Sequence, residues 1–338
     1  MPESMPVVAV VGATGHTARF VVEELLRRKM KPIAVARDSE ALAKASFSGE
    51  VVRRRAKLND PESLDSALEG ANALINCAGP FIDSAHDVAA AALRAGIHYV
   101  DVTAEEPSAR WTLKNFDTAA RQRGVAVVPS VGFYGALGDL LTTAALDDWE
   151  SAETVELAIG LDSWHPTLGT RKTIARLSDL QETDASGAPS QPRRAKVWDF
   201  GKPLGQQPVV EFSFTERLLI LRHVRTSDLR TYLSEIALGH VSDPLTPTPK
   251  AVDKAGRSAQ RFVVEALVTR GLESRRATAR GVDAYAITAP LACEVVARLL
   301  DGSFSHTGAH APGEIFDGID ILTALSPDSL TFELSESR

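Results

Sequence analysis

The sequence is poor in cysteine and in long apolar runs. Its two cysteines among 338 residues are too few for a disulfide framework, which favours a reducing compartment. No apolar run approaches the ~20 residues that a membrane-spanning helix needs. The first residues, Met1–Ser4, contain an acid and lack the basic region of a signal peptide. We therefore expect a cytoplasmic location and no membrane span.

Basic charge is also scarce. Lys and Arg number 37 against 44 Asp and Glu, which gives a net charge of −7. The densest basic runs, Arg53–Arg55 and Arg275–Arg276, are short, and solvated faces explain them better than contacts with phosphate backbones. We therefore expect no nucleic-acid partner. None of the four tyrosines belongs to a Tyr-x-x-x-Lys pair, so the mechanism of short-chain dehydrogenases is unsupported.

The composition is that of an ordinary globular protein, and the chain opens on a strong pattern. The apolar run Val7–Val11 predicts a strand buried on both faces, followed by a turn and a helix that continues over residues 19–30. The turn carries a Gly-x-x-Gly-x-x-Ala string. Gly12 permits a tight turn and Gly15 lets phosphates approach the main chain, while amides of the first helical turn face the anion. The cofactor residues predicted here are Gly12, Ala13, Thr14, Gly15, His16 and Thr17.

Such a string alone also occurs in turns that bind nothing, but its position between two strands favours nucleotide binding. The second strand, Lys31–Ala36, ends in Arg37 and Asp38. A carboxylate at this place accepts from the ribose 2′-hydroxyl of NAD, whereas an arginine suits the 2′-phosphate of NADP. Arg37 therefore favours NADP over NAD. In the alternative, Arg37 is a solvated strand end and Asp38 reads the ribose.

The next segments predict an α/β protein with a Rossmann-like, doubly wound parallel sheet. A third strand over residues 50–57 carries three arginines, which suit an edge because charge discourages pairing with another chain. The strand order 3-2-1-4-5 places it there. A fourth strand over residues 71–77 ends at the crevice where such sheets bind ligands. The cofactor residues predicted at its end are Cys77, Ala78, Gly79, Pro80 and Phe81.

Candidate catalytic side chains lie in the fifth predicted strand, over residues 98–103, and on the loop after the sixth, over residues 125–129. We predict Asp101 and Tyr134 for this role, because both lie near the ligand-binding edge of the sheet. The alternatives are a structural acceptor of backbone N–H groups for Asp101 and a packed aromatic ring for Tyr134. Cys77 has no evident histidine base, which disfavours covalent catalysis.

A metal site is not predicted. His306-x-x-x-His310 has the spacing of two ligands on a helix, but Gly308 and Pro312 argue against a helix there. A third ligand is missing within reach in the sequence. We therefore expect no resident metal ion.

Four motifs occur together in residues 7–146. They are Val10–Gly15, Ile75–Phe81, Gly96–Asp101 and the glycine-rich loop before Asp139. In combination they resemble the saccharopine dehydrogenase-like superfamily of NAD(P)-binding reductases. The branch most similar contains trans-acting enoyl reductases and uncharacterised NADP-binding proteins, whose tail resembles Gly281–Ala289 and Ala311–Glu314.

The resemblance implies a Rossmann domain over residues 1–148, a mixed α+β domain for substrate binding and dimerisation over 149–288, and C-terminal helices over 289–338 that pack back on the Rossmann domain. It also implies a homodimeric NADPH-dependent oxidoreductase that reduces a C=C or C=N bond of a small or lipid-like metabolite. The alternative is a non-catalytic NADP(H)-binding sensor or scaffold, because the fold does not fix the function.

Patterns are weaker in the second half. A short helix is expected from Gly169 and an exposed loop over Ala185–Pro192. Residues 215–238 fit a helix and a strand equally. Two helices and a strand are expected over residues 268–288, and Pro290 is expected at the start of a helix.

Overall fold

A computed structural model of the chain describes residues 5–183 and 194–337. The exposed loop predicted over Ala185–Pro192 lies outside these residues. Within the two described ranges, no helix combines the length and the apolarity needed to cross a bilayer.

The described chain divides into two compact units. Unit 1 contains the residues up to Ala136 together with Thr288–Ile315, and unit 2 contains Leu137–Ile287 together with the residues from Phe316 on. Each unit has one seven-stranded sheet.

Unit 1 has a parallel sheet with helices between its strands. The strands are β1 Val7–Val11, β2 Lys31–Ala36, β3 Val52–Arg55, β4 Ala73–Asn76, β5 His98–Asp101, β6 Ala126–Val128 and β13 Gly308–Ala309. The helices are α1 His16–Arg27, α2 Ser39–Lys44, α3 Pro61–Leu68, α4 Phe81–Ala95, α5 Glu106–Arg123 and α11 Pro312–Ile315. Helices α6 Ala136–Leu146 and α10 Ala284–Leu299 connect the units in sequence.

The strand order β13-β6-β5-β4-β1-β2-β3, with every pair parallel, confirms the predicted doubly wound sheet. Val8, Ala9 and Val10 of the central strand β1 are fully buried, as a strand covered by helices on both faces requires. The arginine-rich β3 lies at the edge, also as predicted. The carboxylate of Asp60 caps α3 by accepting the Ser63 N–H at 3.1 Å.

Unit 2 has a mixed sheet. Its strands are β7 Ser151–Leu161, β8 Ala195–Asp199, β9 Gln206–Glu211, β10 Arg225–Ser234, β11 Arg261–Arg270, β12 Glu273–Val282 and β14 Thr331–Ser337. Its helices are α7 Leu168–Thr183, α8 Glu216–Ile220, α9 Glu235–Ser242 and α12 Gly318–Leu325. The order is β14-β12-β11-β7-β10-β9-β8, in which β7 and β10 are parallel and the other pairs antiparallel.

Several expectations for the second half were wrong. Residues 268–282 contain no helix; they belong to the antiparallel hairpin of β11 and β12. Pro290 lies inside α10, because Asp283 starts that helix earlier by accepting the N–H groups of Tyr285 and Ala286 at 3.0 Å each. The helix expected from Gly169 is not short, since α7 extends to Thr183.

The division into units also differs from the expected domain boundaries. Nearly all of α6 belongs to unit 2, so the first boundary falls at Ala136 instead of residue 148. The end of the chain is not purely helical, because β14 pairs with β12 in the sheet of unit 2. Residues 316–337 therefore complete unit 2.

Close packing of α12 on α6 predicts that Gly318→Ala destabilises the protein. A Cβ at Gly318 would collide with the carbonyl oxygen of Leu140 and lie 2.9 Å from the nitrogen of Ala144. Because backbone atoms cannot move aside cheaply, we expect the free energy of unfolding to fall by about 1–3 kcal/mol. Denaturant unfolding measures this change.

The control variant is Gly239→Ala in α9. A Cβ at this position would have no heavy atom within 4 Å. We expect its stability to stay equal or to rise by about 1 kcal/mol, because alanine is the better helix former. Equal stabilities of the two variants would contradict the predicted close contact.

Candidate cofactor site

The candidate site lies at the carboxyl ends of β4, β1 and β2, which are neighbours in the sheet of unit 1. The strand order reverses at this point. Open α/β sheets bind ligands in the crevice that such a reversal creates. The predicted cofactor residues follow these three strands directly, so the fold brings them to one edge of the sheet.

Gly12 allows the chain after β1 to touch the chain after β4. Its φ is +80°, and a Cβ there would lie 2.8 Å from the Cα atom of Ala78. The left-handed backbone and the short distance both exclude a side chain. The N–H of Cys77 donates to the carbonyl of Val11 at 2.8 Å. Gly12 is thus required by the fold of this edge, independently of a ligand.

The main-chain N–H groups of the turn residues Gly12 and Ala13 have partners within the protein, whereas the start of α1 has no side-chain cap among the described residues. The N–H groups of Gly12 and Ala13 both donate to the Val35 carbonyl on β2, at 2.9 and 3.1 Å. These two residues therefore shape the turn. Helix α1 begins at His16, and among the described residues no side chain caps it. Thr14 and Gly15, which precede this helix, are exposed.

Helix α4 also starts at this edge, but the protein itself fills its N-terminus. The carboxylate of Glu105 accepts the N–H groups of Phe81 and Ile82, each at 2.8 Å. Glu105 is almost fully buried. An anion at a helix N-terminus satisfies amides that the helix leaves open and complements the helix dipole. Helix α4 thus already holds its anion, whereas no side-chain cap is found for α1 among the described residues.

The end of β2 presents the exposed residues Arg37 and Asp38. One carboxylate oxygen of Asp38 accepts the N–H groups of Glu40 and Ala41 at 3.0 Å each, so Asp38 caps α2. This contact turns the carboxylate toward the helix. The alternative in which Asp38 reads a ribose hydroxyl stays open, because both bonds use the same oxygen of the carboxylate.

Asn76 organises the end of β4 and was not among the predicted site residues, although it belongs to the Ile75–Phe81 motif. Its fully buried side chain accepts the N–H of Ala78 at 3.0 Å and donates to the hydroxyl of Tyr99 at 3.2 Å. These bonds fix the chain at Cys77–Pro80. A polar residue at the end of the otherwise apolar strand β4 is the sequence signal that could have identified it.

Asp101 is fully buried, and both of its oxygens accept hydrogen bonds. One accepts the N–H groups of Thr103 and Ser130 at 3.0 and 2.8 Å, and the other accepts the hydroxyl of Tyr99 at 2.9 Å. Burial raises the pKa of Asp101 to about 6, although these three bonds act to lower it. The contacts are those of a structural acceptor that joins the ends of β5 and β6.

Tyr134 lies on the loop after β6 and is partly buried. Its ring packs edge-on against that of Phe133, with centroids 4.8 Å apart. The N–H of Phe133 donates to the hydroxyl of Thr288 at 3.1 Å, which ties the loop to α10. These contacts are those of a packed aromatic ring, and a catalytic role for the Tyr134 hydroxyl stays a prediction.

Cys77 follows β4 and is partly buried. Burial, together with the negative charge of Asp101, raises the pKa of its thiol. Since the thiolate is the nucleophilic form, a raised pKa lowers reactivity at neutral pH. The geometry favours a role for Cys77 in shaping the crevice.

His306 and His310 do not share a helix, because β13 lies between them. Their ring centroids are 6.3 Å apart, and Nε2 of His310 lies 3.0 Å from the carbonyl of Thr307. In the part of the chain that the structure describes, no group of three His, Cys, Asp or Glu side chains is placed to hold a metal ion.

Comparisons with known proteins match the first unit most clearly. Residues 8–128 match the family model described as the saccharopine dehydrogenase NADP binding domain. A protein of Rattus norvegicus named saccharopine dehydrogenase-like oxidoreductase is 28% identical over 150 residues, which cover 39% of this chain and 35% of that protein. A protein of Arabidopsis thaliana named probable mitochondrial saccharopine dehydrogenase-like oxidoreductase is 25% identical over 247 residues, which cover 65% of this chain and 53% of that protein. The chain thus spans about a third to a half of these relatives' lengths.

A solved structure extends the likeness to the whole fold. Apo saccharopine dehydrogenase (L-Glu forming) from Saccharomyces cerevisiae has a TM-score of 0.65 at 13% identity, covering 98% of this chain and 100% of that chain. At this identity the likeness shows the shared α/β architecture alone. The enoyl reductase branch and the cytoplasmic location stay predictions, and the Arabidopsis relative is named as mitochondrial.

The raised pKa of Asp101 predicts a pH-dependent stability. Its pKa is about 6 in the folded protein against an ordinary 3.8, so the folded state binds more protons between these values. Stability therefore falls as pH rises through this range and levels off above about pH 6. We expect the wild-type protein to lose stability relative to Asp101→Asn over that range, as measured by denaturant unfolding.

The control is Asp328→Asn, which changes an exposed carboxylate in the turn before β14. Its stability difference from the wild type should not follow the same pH profile. Asp101→Asn also alters the bond to Tyr99. That change shifts the free energy of unfolding by a constant amount and does not make it depend on pH. A wild-type-to-Asp101→Asn difference that stays constant from about pH 4 to about pH 8 would contradict the prediction.

Proposed function

We propose that this chain is an NADPH-dependent oxidoreductase of the saccharopine dehydrogenase-like kind. The observation that carries the proposal is the first turn of α1, which has no side-chain cap among the described residues and starts where the strand order reverses. This arrangement suits the diphosphate of a dinucleotide. The match of residues 8–128 to an NADP binding domain supports the cofactor, and relatives named as oxidoreductases support the activity.

The predicted cofactor residues have different tasks in this proposal. Gly12 and Ala13 shape the turn, and Arg37 binds the 2′-phosphate. The residues that surround the diphosphate are Thr14, Gly15, His16 and Thr17. The residues on the ribose and nicotinamide side are Cys77, Ala78, Gly79, Pro80 and Phe81.

Bound NADPH would supply a hydride, and the chain would orient it and exclude water. The buried contacts among Asn76, Tyr99 and Asp101 hold the strand ends that support the nicotinamide side. In this proposal Asp101 is a positioning residue, and the hydroxyl of Tyr134 is the candidate proton donor. The resemblance to enoyl reductases and to saccharopine-forming enzymes favours a C=C or C=N bond in a small or lipid-like metabolite.

Unit 2 would contribute substrate binding and dimerisation in a homodimer. The substrate stays unspecified, because no substrate-binding residue of the family is carried over to residues 137–287. These roles rest on the resemblance alone.

The second candidate function is a non-catalytic NADP(H)-binding sensor or scaffold. The observation in its favour concerns two acidic side chains, Asp101 at the end of β5 and Glu105 just before the start of α5. Both accept hydrogen bonds from within the protein. A protein without an available acid can bind the cofactor and still lack turnover.

Stopped-flow mixing distinguishes the two functions. We expect the absorbance of protein-bound NADPH to fall on mixing with at least one member of a panel of imines and enoyl thioesters. A sensor would bind NADPH, as calorimetry would show, and leave its absorbance unchanged with every compound. Absence of binding to NADPH and NADH alike would contradict both functions.

Replacement of Arg37 tests the cofactor preference. We expect Arg37→Asp to weaken NADPH binding by at least about tenfold and to bring NADH to equal or higher affinity, because a carboxylate repels the 2′-phosphate and accepts from the 2′-hydroxyl. Titration calorimetry measures both dissociation constants. Lys31→Asp is the matched control, since Lys31 is exposed at the opposite end of the same strand. An unchanged ratio in Arg37→Asp would refute the assignment.

A further inference from the structure

Three consecutive arginines form most of β3, the edge strand of the sheet in unit 1. Side chains alternate along a strand, so Arg53 and Arg55 leave one face and Arg54 leaves the other. Their hydrogen bonds differ, and the difference separates structural arginines from one that is available to a ligand.

Arg53 and Arg54 bind the ends of helices. Arg53 donates to the carbonyls of Leu42 and Ala45 at the end of α2, at 3.2 and 2.9 Å. Arg54 donates to the carbonyl of Glu69 at the end of α3, at 2.6 Å. Cations at these places satisfy carbonyls that the helices leave open and complement the negative end of the helix dipole. Both arginines therefore have a structural role.

Arg55 lies at the end of β3, beside the end of β2. Its Nε–H donates to the carbonyl of Arg37 at 3.1 Å, and Arg55 pairs in register with Ala36. Arg37 and Arg55 are both exposed. In the described ranges, the remaining N–H groups of the two guanidinium groups donate to no protein acceptor, so both groups are available at the same corner of the sheet.

We propose that Arg55 acts together with Arg37 to bind the 2′-phosphate of NADPH and is a second residue that determines cofactor specificity. This inference rests on the proposed function. The planar guanidinium group matches the oxygen atoms of a phosphate, and two such groups suit its double negative charge. The bond from Arg55 to the Arg37 carbonyl uses one donor for anchoring and leaves the terminal N–H groups for the ligand.

The carboxylate of Asp38 lies near the two positive charges of Arg37 and Arg55, but it has a partner of its own. Asp38 is directed toward the first-turn amides of α2 through its bonds to Glu40 and Ala41. An NADP-selective corner needs positive charge without a competing acceptor at the same place. In the β2–α2 loop, Oδ1 of Asp38 is engaged in the cap of α2.

Titration calorimetry of Arg55→Gln with NADPH and NADH tests the inference. We expect the dissociation constant for NADPH to rise about tenfold and that for NADH to change less than about twofold, because only NADPH carries the 2′-phosphate. Arg55→Lys keeps the charge and loses the planar fork, so its NADPH affinity should lie between those of the wild type and Arg55→Gln. Arg54→Gln, which changes the adjacent helix-capping arginine, should leave the ratio of the two affinities unchanged.

The outcomes separate this inference from the proposed function. If the wild-type protein binds NADPH more tightly than NADH and Arg55→Gln keeps that ratio, the role of Arg55 is refuted and the proposed function stands. An equal loss of both cofactors in Arg55→Gln also refutes it, because that loss reports a disturbed loop. If Arg55→Lys binds NADPH more weakly than Arg55→Gln does, the result contradicts recognition by charge. A wild-type protein that binds neither dinucleotide overturns the proposed function and this inference together.

Discussion

The contact between the chain after β1 and the chain after β4 is the constraint on which the candidate site depends. It brings the backbone of Gly12 so close to Ala78 that a side chain cannot fit. The same contact fixes the direction of the turn, and the turn sets the first residues of α1 at the crevice. Asn76 reinforces it by holding the N–H of Ala78. The site is therefore a consequence of how two strands end, and its shape exists before any ligand binds.

The N-terminus of a helix attracts negative charge. At three helices of unit 1, a carboxylate of the protein supplies that charge. Asp38 fills the start of α2, Asp60 that of α3 and Glu105 that of α4, by carboxylate bonds to main-chain amides. The N-cap residue of α1 is Gly15, which has no side chain to serve as a cap. In the proposed function, the external anion at the N-terminus of α1 is the diphosphate of the dinucleotide. The capping residues close to their helices are readable in the sequence, whereas Glu105 is 24 positions away from the Phe81 amide that it binds.

Much of unit 1 could be predicted from the sequence, whereas in unit 2 strands β7, β8 and β9 could be predicted and the hairpin of β11 and β12 could not. Parallel strands buried on both faces read as apolar runs, so β1 and the order of its neighbours could be predicted. Strand β11 is also central, and its residues Phe262–Val264 are fully buried, but without regular alternation such a run fits a helix as well. Its partner β12 buries Ala277 and Ala279, and alanine is a weak signal for a strand. The run Arg53–Arg55 gives no sign in the sequence that its three arginines have different roles. Only the structure shows that Arg53 and Arg54 bind the ends of α2 and α3, whereas Arg55 does not.

In the proposed function, the proton balance of the reaction limits which bond can be reduced. Hydride addition to a conjugated C=C bond produces an enolate that must take up a proton, whereas addition to a protonated C=N bond gives a neutral amine directly. Asp101 and Glu105 already accept main-chain N–H groups, so neither is placed to give up a proton to a substrate. Reduction of a C=C bond would therefore draw its proton from Tyr134 or from water. Reduction of a protonated C=N bond would need no acid from the protein. Of the two reactions, it is therefore the one more compatible with carboxylates that already accept main-chain N–H groups.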